Sequence, residues 1–143
     1  MHSTLSIQVS SLIHAEAAHI FRVLTDVTHW PEWTPSVQQI EVLKQASLGT
    51  GVQVRIHQPK LPPAIWTITN WQPDQQFSWE KTSAGLTMTA EHRLTPTAQG
   101  CEVTLRMTYS GWLSGLLYRL TRKLTTEYMQ MEINGLKAIC EKQ

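Results

Sequence analysis

An α+β fold, with a curved antiparallel sheet of about seven strands around one long C-terminal helix, is predicted by three observations. First, residues 112–141 contain no proline, and Leu113, Leu117, Leu120, Leu124, Tyr128, Met131 and Ala138 recur at spacings of three and four, with Gly135 keeping the register. Helical winding stacks such positions on one side, and the helix would run roughly 45 Å at about 1.5 Å per residue. An apolar stripe of that length must lie against another surface. Second, residues 37–110 break into short alternating or β-branched runs separated by Gly, Pro, Asn and Asp turns, so neighbouring strands are antiparallel. Third, the helical segments before residue 40 are too short to form a layer of their own, and the sheet must curl over the terminal helix.

Each element has its own signal. Leu5, Ile7 and Val9 alternate with Ser6, Gln8 and Ser10, a half-buried strand. Ala17, Ile20, Phe21 and Leu24 share a helical face. Asp26 or Thr28 can cap the next short helix, where Pro31 suits a first turn and Pro35 ends it. Residues 37–43 read as a strand with imperfect alternation. Gly49 and Gly51 make a turn, and Val52, Val54 and Ile56 alternate cleanly with Gln53, Arg55 and His57. Pro59, Pro62 and Pro63 require a loop. Residues 64–71 and 77–81 form a hairpin. Residues 86–94 place Met88, Ala90, His92 and Leu94 on one side, and residues 101–109 do the same with Val103, Leu105, Met107 and Tyr109. In residues 64–71 the facing is either Trp66 or Trp71, not both.

The chain of 143 residues suits one domain, 1–143. Apolar content of 41% excludes a disordered segment, and a net charge of +1 gives no electrostatic case for nucleic acid. Arg119, Arg122 and Lys123 form a short basic cluster, and Asp26, Glu32 and Glu41 offset basic residues elsewhere. No apolar run approaches the ~20 residues of a membrane span. Residues 1–4 show no secretory leader, so a cytoplasmic location is expected. Cys101 and Cys140 are expected as free, buried thiols, although a helix running back along the last strand brings them to the same level, where a bond is geometrically conceivable. His14, His19, His29 and His57 have no metal-ligand spacing, and no phosphate loop or nucleophile elbow is present; no cofactor is expected.

The order of elements, together with the run Asp26-Val27-Thr28-His29-Trp30-Pro31-Glu32-Trp33-Thr34-Pro35-Ser36-Val37, resembles the START-like (SRPBCC) superfamily. Within it, the chain is most similar to the polyketide cyclase/dehydrase-type branch. Gly49, Gly51, Gly85, Gly100 and Gly135-Leu136-Lys137 also fit that branch. The resemblance implies a helix-grip fold with a cavity between sheet and helix, and a ligand that is apolar or aromatic. In relatives the cavity serves binding, transport, cyclisation or dehydration, and some relatives act on lipids, quinones or partner proteins. The branch has no universal catalytic motif, so it assigns no catalytic residue here.

The residues themselves propose the lining. From the sheet come Val54, Ile56, Trp66, Ile68, Phe77, Trp79, Met88, His92, Leu105, Met107 and Tyr109. The helix adds Leu117, Leu120, Leu124 and Tyr128. Trp33, with Trp30, would stand at one open end, as a hydrophobic plug or as a pocket wall. An apolar pocket with few polar groups is the usual small-molecule design, and a filled core is the alternative. His92 and Tyr109 are the candidate proton-transfer groups, or else satisfied core residues. Three functions follow: carrier of a small apolar ligand, cyclase or dehydratase on a polyketide-like carbonyl compound, or a protein-interaction module using residues 112–118. Peripheral membrane contact belongs to the same apolar segment. Oligomeric state is open.

Overall fold

Alternating side chains from Leu5 onward build the first strand, β1 (Leu5–Ile13). The computed structural model describes residues 5–142, so the reading of residues 1–4 as leader-free lies outside them. After β1 come α1 (Ala17–Thr25), a 3₁₀ turn (Val27–Glu32), β2 (Gln39–Val42), a second 3₁₀ turn (Leu43–Gln45), β3 (Gln53–His57), β4 (Ala64–Gln72), β5 (Gln76–Ser83), β6 (Leu86–Thr97), β7 (Gly100–Ser110) and α2 (Ser114–Lys142). The seven strands form one antiparallel sheet in the order β1-β7-β6-β5-β4-β3-β2. β2 to β7 form a meander, and β1 adds beside β7, with Leu5 opposite Tyr109 and Ile13 opposite Cys101. The predicted helix-grip architecture is thus observed. The strand expected over residues 37–43 is shorter, because Lys44 and Gln45 have positive φ (60° and 50°) and turn the chain away.

The α1 face carrying Ile20, Phe21 and Leu24 is buried, as is Trp30, whose indole N–H donates to the Leu24 carbonyl at 2.8 Å. Both aromatic residues of β4 pack inward, contrary to the expected exclusion of one by the other. Trp66 is buried, and a register shift between Ile68 and Asn70 turns Trp71 onto Phe21 and Phe77, with centroids at 5.4 and 5.9 Å. A bulge resets the alternation that excluded this arrangement.

α2 lies mainly on β1 and β7, but with a different face from the one predicted. Met129, Ile133, Leu136 and Cys140 are buried, and they too recur at spacings of three and four. Leu120 is 71% exposed, and Met131 and Ala138 are also exposed. In the first half, hydroxyls fix the rotation. Tyr109, fully buried on β7, bonds Thr121 at 3.1 Å and Thr125 at 2.9 Å, and Ser114 is buried. Leu120 therefore points away from the sheet. At the far end Gly135 meets the chain after the first 3₁₀ turn, where a Cβ would overlap the Trp33 carbonyl. Lys137 donates to the Leu12 carbonyl at 2.9 Å and to Glu141 at 2.6 Å, and Glu141 accepts from the His14 backbone N–H at 2.9 Å. These bonds fasten the end of α2 to the end of β1.

Candidate functional site

The inward rows of β3 to β7 converge under α2 on a cluster of rings. His92 of β6 stacks on Phe77 of β5 (centroids 4.1 Å, planes 6° apart) and meets Trp79 and Trp30 edge-on at 5.5 and 5.9 Å. These rings fill the deep part of the grip. Toward β3 and the loop at residues 58–63, a cavity of about 110 Å³ remains, bounded by Trp66, Lys81, Met88, Met107, Tyr128 and Met129, with Gln58, Leu61, Pro62, Ala64, Thr125 and Glu132 completing it. A second space of about 60 Å³ lies beside it under Trp30, Val37, Ile56, Trp79, Ala90 and His92. Gln58, Trp66, Met107 and Glu132 line both. The exposed Leu61 and Pro62 mark the edge facing solvent, and the Tyr128 hydroxyl donates to the Pro59 carbonyl, pinning that loop to α2.

Of the expected lining, Ile56, Trp66, Trp79, Met88, His92, Met107 and Tyr128 border these spaces. Val54, Ile68, Phe77 and Leu105 are buried but packed into core contacts. Tyr109 spends its hydroxyl on the two helix threonines. Leu117 and Leu124 are half-buried outside the cavity, and Leu120 faces away, because the face bearing Thr121, Thr125 and Met129 is turned inward instead. Trp33 is likewise removed from the lining: it packs on Trp30 at 5.4 Å and on the Gly135 backbone, on the outer side of the helix end.

Two charged groups that pattern reading missed border the cavity, besides the neutral Gln58 and Thr125. Lys81 continues the inward row Phe77–Trp79–Lys81, a period-2 signal present in the sequence. Its ammonium lies 5.6 Å from the Trp66 ring centroid, and burial lowers its pKa from the usual lysine range. Glu132 lies one turn after Tyr128 and one before Leu136, spacings that the leucine stripe obscured.

Glu132 and His92 meet at the wall of the inner space. His92 Nδ1 lies 3.2 Å from the Phe77 carbonyl oxygen, which only accepts, so Nδ1 is the protonated nitrogen. Nε2 lies 3.3 Å from Glu132 Oε1. The contact has ion-pair distance but not hydrogen-bond alignment, and Oε1 has no other partner. It retains acceptor capacity toward the cavity. Burial raises the Tyr128 phenol pKa. Among the described residues no group of three or more His, Cys, Asp or Glu side chains converges as a metal site.

Solved structures with this architecture are numerous. The di-domain aromatase/cyclase of the steffimycin biosynthetic pathway matches with a TM-score of 0.74 at 14% identity, over 97% of this chain and 51% of that one, so this chain spans about half of its length. Norcoclaurine synthase from Thalictrum flavum, solved with dopamine and hydroxybenzaldehyde, matches with a TM-score of 0.75 at 14% identity, over 96% and 87%. A Thermus thermophilus protein matches with a TM-score of 0.73 at 19% identity, over 94% and 95%. At these identities the likeness establishes the fold. No curated protein sequence matches the chain. The family model described as polyketide cyclase/dehydrase and lipid transport matches residues 4–141, and this START-like protein belongs to that family.

Proposed function

We propose that the protein binds a small apolar or aromatic compound between the sheet and α2, as a single START-like domain acting in the cytoplasm. The observation that carries this reading is the 110 Å³ space walled by Trp66, Met88, Met107, Tyr128 and Met129. An apolar cavity of roughly 150 Å³ admits benzene, whereas drug-sized ligands need about 300 Å³ or more. Only together with the adjoining 60 Å³ space does the resting room match one small ring, and a lipid or polyketide chain requires the loop at residues 58–63 to move.

The test is calorimetric titration with single-ring probes such as indole and p-cresol, alongside palmitate. A probe at 100 times its Kd raises stability by about 2.7 kcal/mol. Met107→Trp, which fills the cavity, is expected to abolish the effect while the far-ultraviolet circular dichroism is unchanged. Absence of a stability gain with every probe overturns the reading.

A second reading, cyclisation or dehydration of a small carbonyl compound, is favoured by the approach of His92 Nε2 to Glu132 Oε1 at 3.3 Å on the wall of the inner space. A carbonyl compound in the inner space would lie against both side chains, the residue types that carry a proton to or from a reacting group. Glu132→Gln keeps the shape and removes the carboxylate. For a substrate found by screening, it is expected to lower kcat by about 10²–10⁴-fold with binding retained. Equal turnover by this variant excludes proton transfer by the pair.

A further inference from the structure

The first half of α2 is inside out. Its buried side presents Ser114 and the hydroxyls of Thr121 and Thr125, while Trp112, Leu116 and Leu120 are 77%, 55% and 71% exposed. Leu116 and Leu120 stand one turn apart on α2 and form a row, and Trp112 lies in the turn that leads into it. The Trp112 ring is held in place: it lies over Gly85 at the tip of the β5–β6 hairpin, where a Cβ would come within 2.7 Å of the indole. Arg119, Arg122 and Lys123 flank the row and are exposed, and among the described residues none of them forms an ion pair. Residues 111–126 contain no Asp or Glu, and the exposed Glu127 follows one turn after Lys123.

We infer that this face docks on an anionic phospholipid surface. Charge selects the occupant. A second copy of the chain on the same face would bring two sets of three cations together against one exposed Glu127 from each, a net repulsion. A bilayer with anionic headgroups neutralises them. The row sits on the outer side of α2, where a partner helix would need matching ridges and grooves. A lipid interface demands no such complementarity and takes tryptophan and leucine below the headgroup level, with basic side chains reaching back to the phosphates. Sheet contacts hold the helix already formed, so docking requires no folding step. Thr125 and Tyr128 follow within two turns on the same helix and wall the cavity, so docking would bring a lipid surface near the bound ligand's wall. The docking itself does not depend on the cavity being occupied.

The experiment is co-sedimentation of the full chain with phosphatidylcholine vesicles and with mixed phosphatidylcholine–phosphatidylserine vesicles, without added ligand. Binding is expected to the mixed vesicles and to weaken as salt is raised. The double variant Leu116→Asp, Leu120→Asp and the double variant Arg119→Glu, Lys123→Glu are each expected to lose at least about tenfold in partitioning. All four side chains are exposed, and thermal melts of the variants report whether folding is retained. Equal partitioning to both vesicle types, or retention of binding by the leucine variant, overturns the inference. So does a dimer by light scattering that Leu120→Asp dissolves, which would give the face to a second copy. The ring-probe titration is read separately, so failure of the cavity reading and failure of docking are distinguishable.

Discussion

Single residues here act mainly through close approach and proton placement. Gly135 lies in α2, where Gly→Ala ordinarily gains up to about 1 kcal/mol. Here the methyl would overlap the Trp33 carbonyl, and overpacking against backbone costs about 1–3 kcal/mol. Gly135→Ala is therefore expected to lower stability in urea unfolding, the reverse of the helix-propensity result. His29 offers a pH probe. Its Nδ1 lies 2.8 Å from Asp26, with Glu32 nearby, and the Asp26 hydrogen bond followed by the two carboxylate charges raises its pKa. A raised folded pKa means that this contribution is complete below about 6.5, the unfolded value, and is lost as pH rises through the folded value. In an NMR titration His29 should titrate above the ordinary value, and Asp26→Asn should reduce the shift. Cys101 and Cys140 are buried, unbonded thiols with raised pKa, Cys140 to about 11. Iodoacetamide at pH 8 should leave both unmodified until the protein unfolds.

At the scale of elements, the strands were legible because one face is buried and the other solvated, which writes a period of two. Met88, His92 and Met107 were found inward for that reason. The β4 bulge was not legible, since the sequence does not mark the residue at which the register shifts. α2 carries two stripes of similar spacing, and the leucine stripe is the more apolar. What decides between them is Tyr109, whose buried hydroxyl needs partners that Thr121 and Thr125 supply. That requirement belongs to the tertiary fold, so Leu120 was placed inward by pattern and Glu132 overlooked. Tyr109→Phe is expected to cost about 1 kcal/mol, because it removes a buried hydroxyl from its bonds with Thr121 and Thr125. The Tyr128 bond to Pro59 ties α2 to the cavity's edge. In Tyr128→Phe, exchange at the amide of Leu61, which is bonded to Gln58 at 3.3 Å, should quicken.

Across the whole molecule, β1 pairs with β7 and α2 lies on both, so the first and last described elements close the structure. The fastening among Lys137, Leu12, Glu141 and His14 spans that closure. The Glu141 pKa is lowered, first by the His14 N–H and then by Lys137. A lowered folded pKa means that this contribution is present above the ordinary carboxylate range and is lost as pH falls through the folded value. Glu141→Gln should therefore lower the Tm at neutral pH, and the difference from the parent should shrink on acidification. The cavity wall has a further property. Met88, Met107 and Met129 come from β6, β7 and α2 and meet on one space. Unbranched thioethers change rotamer at little cost and stay in contact with rings of differing outline. Such a wall moulds itself to its guest, so selectivity would be broad among flat aromatics. The same sulfurs expose the site to peroxide, since a sulfoxide in place of any one of them would set a strong dipole where the guest is oily.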